Sequence, residues 1–289
     1  MEIHAASRPN GRLHRALPWA LAILLSACAT GQDLELQGDS RDIALVVDAA
    51  SGGTGSSGSL TGTIGRVSPS FVTLVIRKPR DTMREGYGRA KGVASGSGFF
   101  LDSAGHVMTA GHVAVAPGLK ASARAADGRV HDGKVVAVST VPDIGLVAFA
   151  GLKARPVTPA ASPCLKKGEP VFSLGRPRKG RETARVGEVV SMRFGTPVRY
   201  GRFGYDDAMV LRMNTHRGES GGPLFNARGE LVGMIVSTLS RGGRPLHLAH
   251  AIPLPPLARF YCATGQCSPR WRKLASMHVS DCPVRTAAK

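Results

Sequence analysis

Ser220 lies in the segment whose residue types and spacing most plainly suggest chemistry, Gly218-Glu219-Ser220-Gly221-Gly222-Pro223. A serine hydroxyl is a weak nucleophile, so it acts only beside a base and in front of donors for the oxyanion that attack creates. A glycine two positions before the serine lets the backbone bend until the Gly218 and Ser220 amides point at one spot, and the glycines after it let neighbouring chain approach closely. The chemistry on offer is acyl transfer through a covalent serine intermediate, which calls for no cofactor and no metal.

The same stretch fits Gly-x-Ser-x-Gly, the turn that carries the nucleophile in α/β-hydrolases. That fold needs a helix directly after the serine, whereas only residues 223–228 separate Gly222 from Gly229, a hairpin length. It also places the acid and the histidine after the serine, and the 69 residues beyond Ser220 do not alternate strands and helices. An order with the serine last, on an all-β frame, fits better.

Upstream lie Gly96-Ser97-Gly98-Phe99-Phe100-Leu101, then Val107-Met108-Thr109-Ala110-Gly111-His112-Val113, then Pro142-Asp143-Ile144-Gly145-Leu146-Val147. Together with the serine stretch, their order and spacing resemble trypsin-like (chymotrypsin-fold) serine peptidases, above all the protease domain of the bacterial HtrA (Deg) group. The resemblance runs from about Val67 to Pro253 and includes Val67-Ser68-Pro69-Ser70, Gly168-Glu169-Pro170-Val171 and Leu248-Ala249-His250-Ala251-Ile252-Pro253. Among nine histidines it singles out His112 as the base. It makes Asp143, 31 residues after His112 and 77 before Ser220, the acid. It implies that His112 takes the proton of Ser220, that Asp143 orients the imidazolium, and that the Gly218 and Ser220 amides, with Glu219 assisting, stabilise the oxyanion. It frames the substrate pocket by Met213, Asn214, Thr215, His216 and Arg217 and by the strand Ile235, Val236, Ser237, Thr238 and Leu239, with Asn214 near the floor. With no acid there, a small or medium apolar side chain is expected in the pocket rather than Arg or Lys.

Two departures from the family matter. HtrA proteases usually carry asparagine before the serine, and digestive proteases an aspartate that pairs with a new amino terminus on activation. Glu219 stands there in this chain, so the expectation is a pairing of Glu219 with an internal donor and no activation by amino-terminal insertion. HtrA proteins also usually add a PDZ domain, for which the 36 residues after Pro253 give no room, so PDZ-based regulation is not expected.

The elements that must position these residues read as an all-β protein of two antiparallel six-stranded barrels with the site between them. Short β-branched and aromatic runs recur at Phe71 to Ile76, Gly98 to Leu101, Val107 to Thr109, Lys134 to Ser139 and Leu146 to Ala150. A second series follows at Pro170 to Leu174, Ala184 to Arg193, Met209 to Met213, Leu231 to Thr238 and Leu246 to Ile252, after a Pro-rich stretch at Arg155 to Pro163. The expected organisation is a signal peptide at 1–27 and a flexible tether at 28–63. A protease domain follows at 64–256 (barrels at about 64–152 and 165–256), then a Cys-containing tail at 257–289.

Arg8, Arg12 and Arg15 followed by the apolar run Ala16 to Ala27 form an export signal too short to span a bilayer. Leu25-Ser26-Ala27-Cys28 resembles the lipobox of bacterial lipoproteins, which implies lipid on Cys28 and, with Ala29 next, an outer-membrane address facing the periplasm. Cys164, Cys262, Cys267 and Cys282 remain, an even number that suits two disulfides in one of three pairings; Cys262, Cys267, His278 and Cys282 also have spacing a zinc ion could use. The formal charge of +18 favours phosphate, anionic headgroups or acidic envelope polymers. The basic stretches Arg77 to Lys91 and Arg176 to Arg185 lack the interleaved aromatics of single-strand nucleic-acid binders, so nucleic acid is not the expected partner. The expected partners are a protein or peptide substrate, the membrane through the lipid anchor, and an anionic envelope polymer. The function that follows is a serine endopeptidase of the bacterial envelope; the alternative is a latent or non-catalytic binding protein on the same fold.

Overall fold

The computed structural model describes residues 44–47, 57–78, 92–241, 244–265 and 267–282. The proposed signal peptide and Cys28 lie outside these residues, as does most of the basic stretch at 77–91. The first strand, β1 (Ala44–Val47), belongs to the second barrel. The first barrel is built from β2 (Phe71–Arg77), β3 (Val93–Phe100), β4 (His106–Thr109), β5 (Lys120–Arg124), β6 (Val130–Ser139) and β7 (Ile144–Ala148), closed in the order β2-β3-β4-β7-β6-β5. β2 shows why: Phe71, Val72, Leu74 and Ile76 are all fully buried, the near-continuous apolar run of a strand with protein on both faces. Phe99, Phe100, Val107, Met108, Leu146, Val147 and Phe149 complete that core.

The second barrel is built from β8 (Pro170–Gly175), β9 (Thr183–Ser191), β12 (Met209–Arg212), β13 (Pro223–Asn226), β14 (Leu231–Arg241) and β15 (Arg244–Pro253). Its order is β9-β12-β15-β14-β13-β8, and pairing of β8 with β9 closes it. β9 is long enough to take two partners on its other edge: β12 along Glu188 to Ser191, and β1, in parallel, along Thr183 to Val186. A small antiparallel hairpin of β10 (Val198–Tyr200) and β11 (Phe203–Tyr205) is inserted between β9 and β12. Two closed antiparallel barrels are therefore the architecture, as the strand pattern suggests.

The structure differs from expectation in the segment read as a flexible tether. Ser57–Val67 forms helix α1 despite its Gly and Ser content. Tertiary contact outweighs propensity here: Ile64 and Thr63 are buried, and the Arg66 Nη2 donates to the Arg228 carbonyl at 3.0 Å, seating the helix against the β13–β14 turn. β1 likewise falls inside the same stretch. A four-residue helix, α2 (Gly111–Ala114), follows β4.

The tail folds into α3 (Leu254–Ala263) and α4 (Pro269–Ala275), each with proline in its first turn, where a missing amide costs nothing. They bury Leu254, Leu257, Ala258, Tyr261, Trp271 and Leu274, and the Tyr261 and Trp271 rings meet edge to face at 5.6 Å. The Tyr261 hydroxyl donates to Asp102 Oδ2 at 2.6 Å, which ties the tail to barrel one. Burial pushes the Asp102 carboxyl up, but hydrogen bonds from Tyr261 and from the backbone and ring of His106 outweigh it and hold the group below the usual carboxylate range.

Of the three possible pairings, the cysteines form Cys164–Cys282 and Cys262–Cys267, which takes up the thiols a zinc ion would need. The first joins the inter-barrel segment to the tail across 118 residues. Replacing Cys164 and Cys282 together by serine is expected to lower unfolding stability by about 2–4 kcal/mol, read as a fall in the urea midpoint together with a steeper slope, because the released unfolded chain exposes more surface.

Candidate active site

Strand β4 ends at Thr109, and α2 projects His112 from the rim of barrel one; Asp143 stands immediately before β7, on the same rim. The Asp143 carboxylate is fully buried. Its Oδ1 accepts the His112 backbone amide at 2.7 Å and its Oδ2 contacts His112 Nδ1 at 2.6 Å, while the His112 side chain keeps 28 % of its surface exposed. An Nδ1–H committed to a carboxylate leaves Nε2 as the acceptor on the open side of the ring, the form a general base needs.

Ser220 sits on the loop between β12 and β13, on barrel two. Two bonds fix this loop across the barrel interface, from the Ser97 amide to the Ser220 carbonyl at 2.9 Å and from Ser97 Oγ to the Gly218 carbonyl at 2.9 Å, and within barrel two the Gly221 amide donates to the Ile235 carbonyl at 2.8 Å. Gly221 adopts φ 87°, and a β-carbon there would fall 2.2 Å from the Ser97 carbonyl oxygen and 2.3 Å from Thr109 Oγ1, so the serine loop lies directly against the strand that leads to His112. Gly218 adopts φ 102° and is packed against the backbone of Arg176 and Arg178. Among the described residues, the amides of Gly218 and Ser220 donate to no protein acceptor, which leaves both available for an oxyanion. The Ser220 hydroxyl donates to the Val236 carbonyl at 3.4 Å, and no hydrogen bond joins it to His112.

Glu219 is 1 % exposed. Its Oε1 accepts Arg185 Nε at 2.9 Å and Nη2 at 2.8 Å, and its Oε2 accepts the His216 amide at 3.0 Å. The expected internal donor is therefore Arg185, on β9. The carboxylate is an acceptor turned into a buried ion pair, so its help to the oxyanion donors consists in holding the loop, not in a further hydrogen bond.

The residues expected to frame the pocket range from buried to exposed. Thr215 Oγ1 and Thr238 Oγ1 are 2.7 Å apart, and Val236 meets Ser220, so the two pocket walls do converge. Met213, Ile235 and Val236 are buried; Met213 Sδ accepts Ser173 Oγ at 3.3 Å inside the barrel rather than facing open space. Asn214, Ser237 and Leu239 are half-buried, and His216, Arg217 and Thr238 are exposed at the rim. A groove of about 570 Å³ beside the C-terminal helices, lined by Val141, Pro142, Met192, Phe260 and Val279 among others, includes neither His112 nor Ser220.

The sequence motifs do not point to Tyr200. It lies on β10, in barrel two, yet its hydroxyl donates to Asp143 Oδ2 in barrel one. Its ring meets His112 edge-on at 5.6 Å, Phe203 flanks the same imidazole at 6.5 Å, Arg202 donates to the Val115 carbonyl, and the Gly204 amide donates to the Thr140 carbonyl at 2.9 Å. The hairpin thus closes over the His–Asp pair from the opposite barrel. A signal was present: Phe194, Tyr200, Phe203 and Tyr205 crowd one short stretch of a chain that is only 5 % aromatic.

Behind the pocket strand, Tyr205 OH lies 2.7 Å from Ser237 Oγ and 2.8 Å from His250 Nδ1. Burial raises the Tyr205 hydroxyl to about 12 and lowers His250 to about 4, the Asp207 charge opposing the latter.

Residues 96–234 match the trypsin-like peptidase domain family. Among curated relatives, the putative serine protease HhoB of Synechocystis sp. is 34% identical over 166 residues, 55% of this chain and 38% of that protein. The periplasmic serine endoprotease DegP of Salmonella typhimurium is 34% identical over 167 residues, 56% of this chain and 34% of that protein. The chain therefore spans little more than a third of the length of these relatives. Among solved structures, the active form of the Rv3671c protease from M. tuberculosis superposes with a TM-score of 0.60 at 23% identity, covering 81% of this chain and 96% of that one. The HtrA-type protease AlgW with a tripeptide gives 0.54 at 21%, covering 67% of this chain and 59% of that one. At these identities the superpositions establish the fold.

Two outcomes are expected from this geometry. Tyr200→Phe removes one of three donors from a buried carboxylate and should lower kcat on a peptide substrate about tenfold with little change in KM, measured by initial rates. His250 binds a proton less readily folded than unfolded, so its contribution to stability is present above pH 6.5 and is lost as pH falls towards 4. The urea midpoint should drop over that window by the equivalent of at most about 3 kcal/mol, and His250→Asn should reduce the drop.

Proposed function

We propose, from the premise that this chain carries a trypsin-like peptidase domain of the kind found in HtrA and DegP proteases, that it is a serine endopeptidase with His112, Asp143 and Ser220 as its triad. The observation that carries this reading is the His112–Asp143 pair, doubly hydrogen-bonded to a fully buried carboxylate, beside a serine loop whose Gly218 and Ser220 amides are unspent. In the reaction, the Ser220 hydroxyl turns from the Val236 carbonyl to His112, loses its proton to Nε2 and attacks a peptide carbonyl. The Gly218 and Ser220 amides receive the oxyanion, a donor set of which each member is typically worth about 3 kcal/mol in the transition state. His112 then protonates the leaving amine, and water, activated by the same imidazole, releases the acyl group. Asp143 holds the imidazole in the required tautomer throughout.

The periplasmic naming of the DegP-like relatives supports a bacterial envelope setting. There, export through residues 1–27, lipid on Cys28, attachment to the outer membrane, and attraction of the basic surface to an anionic envelope polymer complete the proposal. The pocket between residues 213–217 and 235–239 takes a small or medium apolar side chain.

A second reading has one observation in its favour: the Ser220 hydroxyl bonds to Val236 and not to His112. A latent protease, or a binding protein on a protease scaffold, would look the same. Hydrolysis of unfolded casein and labelling by a fluorophosphonate distinguish them. The peptidase reading expects both in the full chain, with turnover falling at least about ten-thousand-fold, and the label vanishing, in Ser220→Ala. Label without cleavage would point to a competent triad with narrow specificity. Neither would favour the latent or binding protein.

A further inference from the structure

Four exposed arginines around the second barrel are matched by acids: Arg193 with Asp207, Arg199 with Asp206, Arg212 with Glu188 and Arg228 with Glu230. One group is not. Arg176, Arg178, Lys179 and Arg181 occupy the turn between β8 and β9, and Arg217 stands three residues before Ser220. Arg178, Lys179, Arg181 and Arg217 are exposed and Arg176 is half-buried. None of the five makes an ion pair among the described residues. The two acids nearest in sequence are both buried: Glu219 is bonded to Arg185, and Glu182 accepts Thr73 Oγ1 at 2.8 Å.

These cations are held beside the nucleophile by main-chain contacts. The Arg178 amide donates to the Arg217 carbonyl at 2.7 Å, and the Arg176 amide donates to Ser97 Oγ at 3.1 Å, the hydroxyl that itself donates to Gly218. A β-carbon on Gly218 would fall 2.6 Å from the Arg176 carbonyl and 2.7 Å from the Arg178 amide. The turn and the oxyanion loop are thus packed backbone to backbone. Charges on a turn packed this closely on the loop act on a peptide lying across Ser220 through a field that salt screens over about 8 Å at physiological ionic strength.

We propose that this unpaired cationic turn selects peptide substrates with acidic side chains close to the scissile bond. The inference rests on the peptidase reading and adds its substrate class. It is compatible with an apolar residue in the specificity pocket, because Arg176, Arg178, Lys179 and Arg181 lie on the turn beside the loop and Arg217 is exposed at the pocket rim. Like-charged segments are disfavoured by the same field, so peptides rich in Lys and Arg should be poor substrates.

The test uses the full chain and two quenched-fluorescence peptides that carry one cleavable sequence taken from casein, with Glu or with Gln at the positions flanking the cut. The expected result is a kcat/KM for the Glu peptide at least about fivefold above that for the Gln peptide in low salt, converging to near unity at about 0.5 M NaCl. In Arg178→Gln/Lys179→Gln/Arg181→Gln the ratio of the two peptides should approach one; because it is a ratio, it does not depend on the variant's overall activity. A ratio near one for the unaltered chain at low salt, with the Gln peptide cleaved, would overturn the inference and leave the peptidase reading intact. A ratio near one together with salt-reversible binding to phosphatidylglycerol vesicles would overturn it in favour of a membrane role for the same charges. No cleavage of either peptide, nor of casein, would remove both readings together.

Discussion

The carboxylate of Asp143 is a charge with no access to water, and the rest of the site is arranged around that fact. A buried carboxylate costs several kcal/mol unless donors satisfy it, so its surroundings must be held in place by the fold. Its three donors come from two barrels: the amide and ring of His112 from one, the Tyr200 hydroxyl from the other. The hairpin that brings Tyr200 is only six paired residues, too small to be stable alone, and it persists because Arg202 and Gly204 are bonded to the first barrel and Phe203 packs beside His112. Orientation of the His112 imidazole is thereby tied to the docking of one barrel on the other.

A second buried charge governs the other end of the site. Glu219 next to Ser220 and Arg185 on β9 form an ion pair inside barrel two, and the other oxygen of Glu219 takes the His216 amide. Losing one partner of such a pair typically costs about 3–5 kcal/mol, because the survivor remains buried and unpaired. The loop that presents the Gly218 and Ser220 amides is therefore braced from within the chain. Where digestive proteases are held inactive until a new amino terminus arrives, an arginine built into a neighbouring strand occupies the bracing role here.

Much of this was legible in the sequence. The serine stretch and the order of His112, Asp143 and Ser220 stood out because the chemistry restricts which residues can flank a nucleophile. Ten strands of the two barrels were legible because their apolar, β-branched runs face a core. β5, with the sequence Lys-Ala-Ser-Ala-Arg, lacks large apolar residues, and β13 opens with proline, so neither announces itself locally. α1 was hidden for a different reason: Gly and Ser predict a flexible chain, and only the complementary surface of barrel two makes the helix worth forming. Tyr200 was hidden because its partner lies 57 residues away and on the other barrel, a relation that no local pattern encodes. The pairing of the four cysteines needed the tail's path across the first barrel, fixed by Tyr261 on Asp102, before it could be specified.

The bond between Cys164 and Cys282 also has a topological meaning. It turns everything between those residues into a closed covalent ring that contains the whole six-stranded second barrel, Ser220, Arg185 and the cationic turn. His112 and Asp143 lie outside the ring, in the barrel that precedes it. Any single break in the chain between Cys164 and Cys282 opens the polypeptide without producing two pieces. The ring lets the exposed turns of that barrel be cut while the barrel stays in one covalent piece.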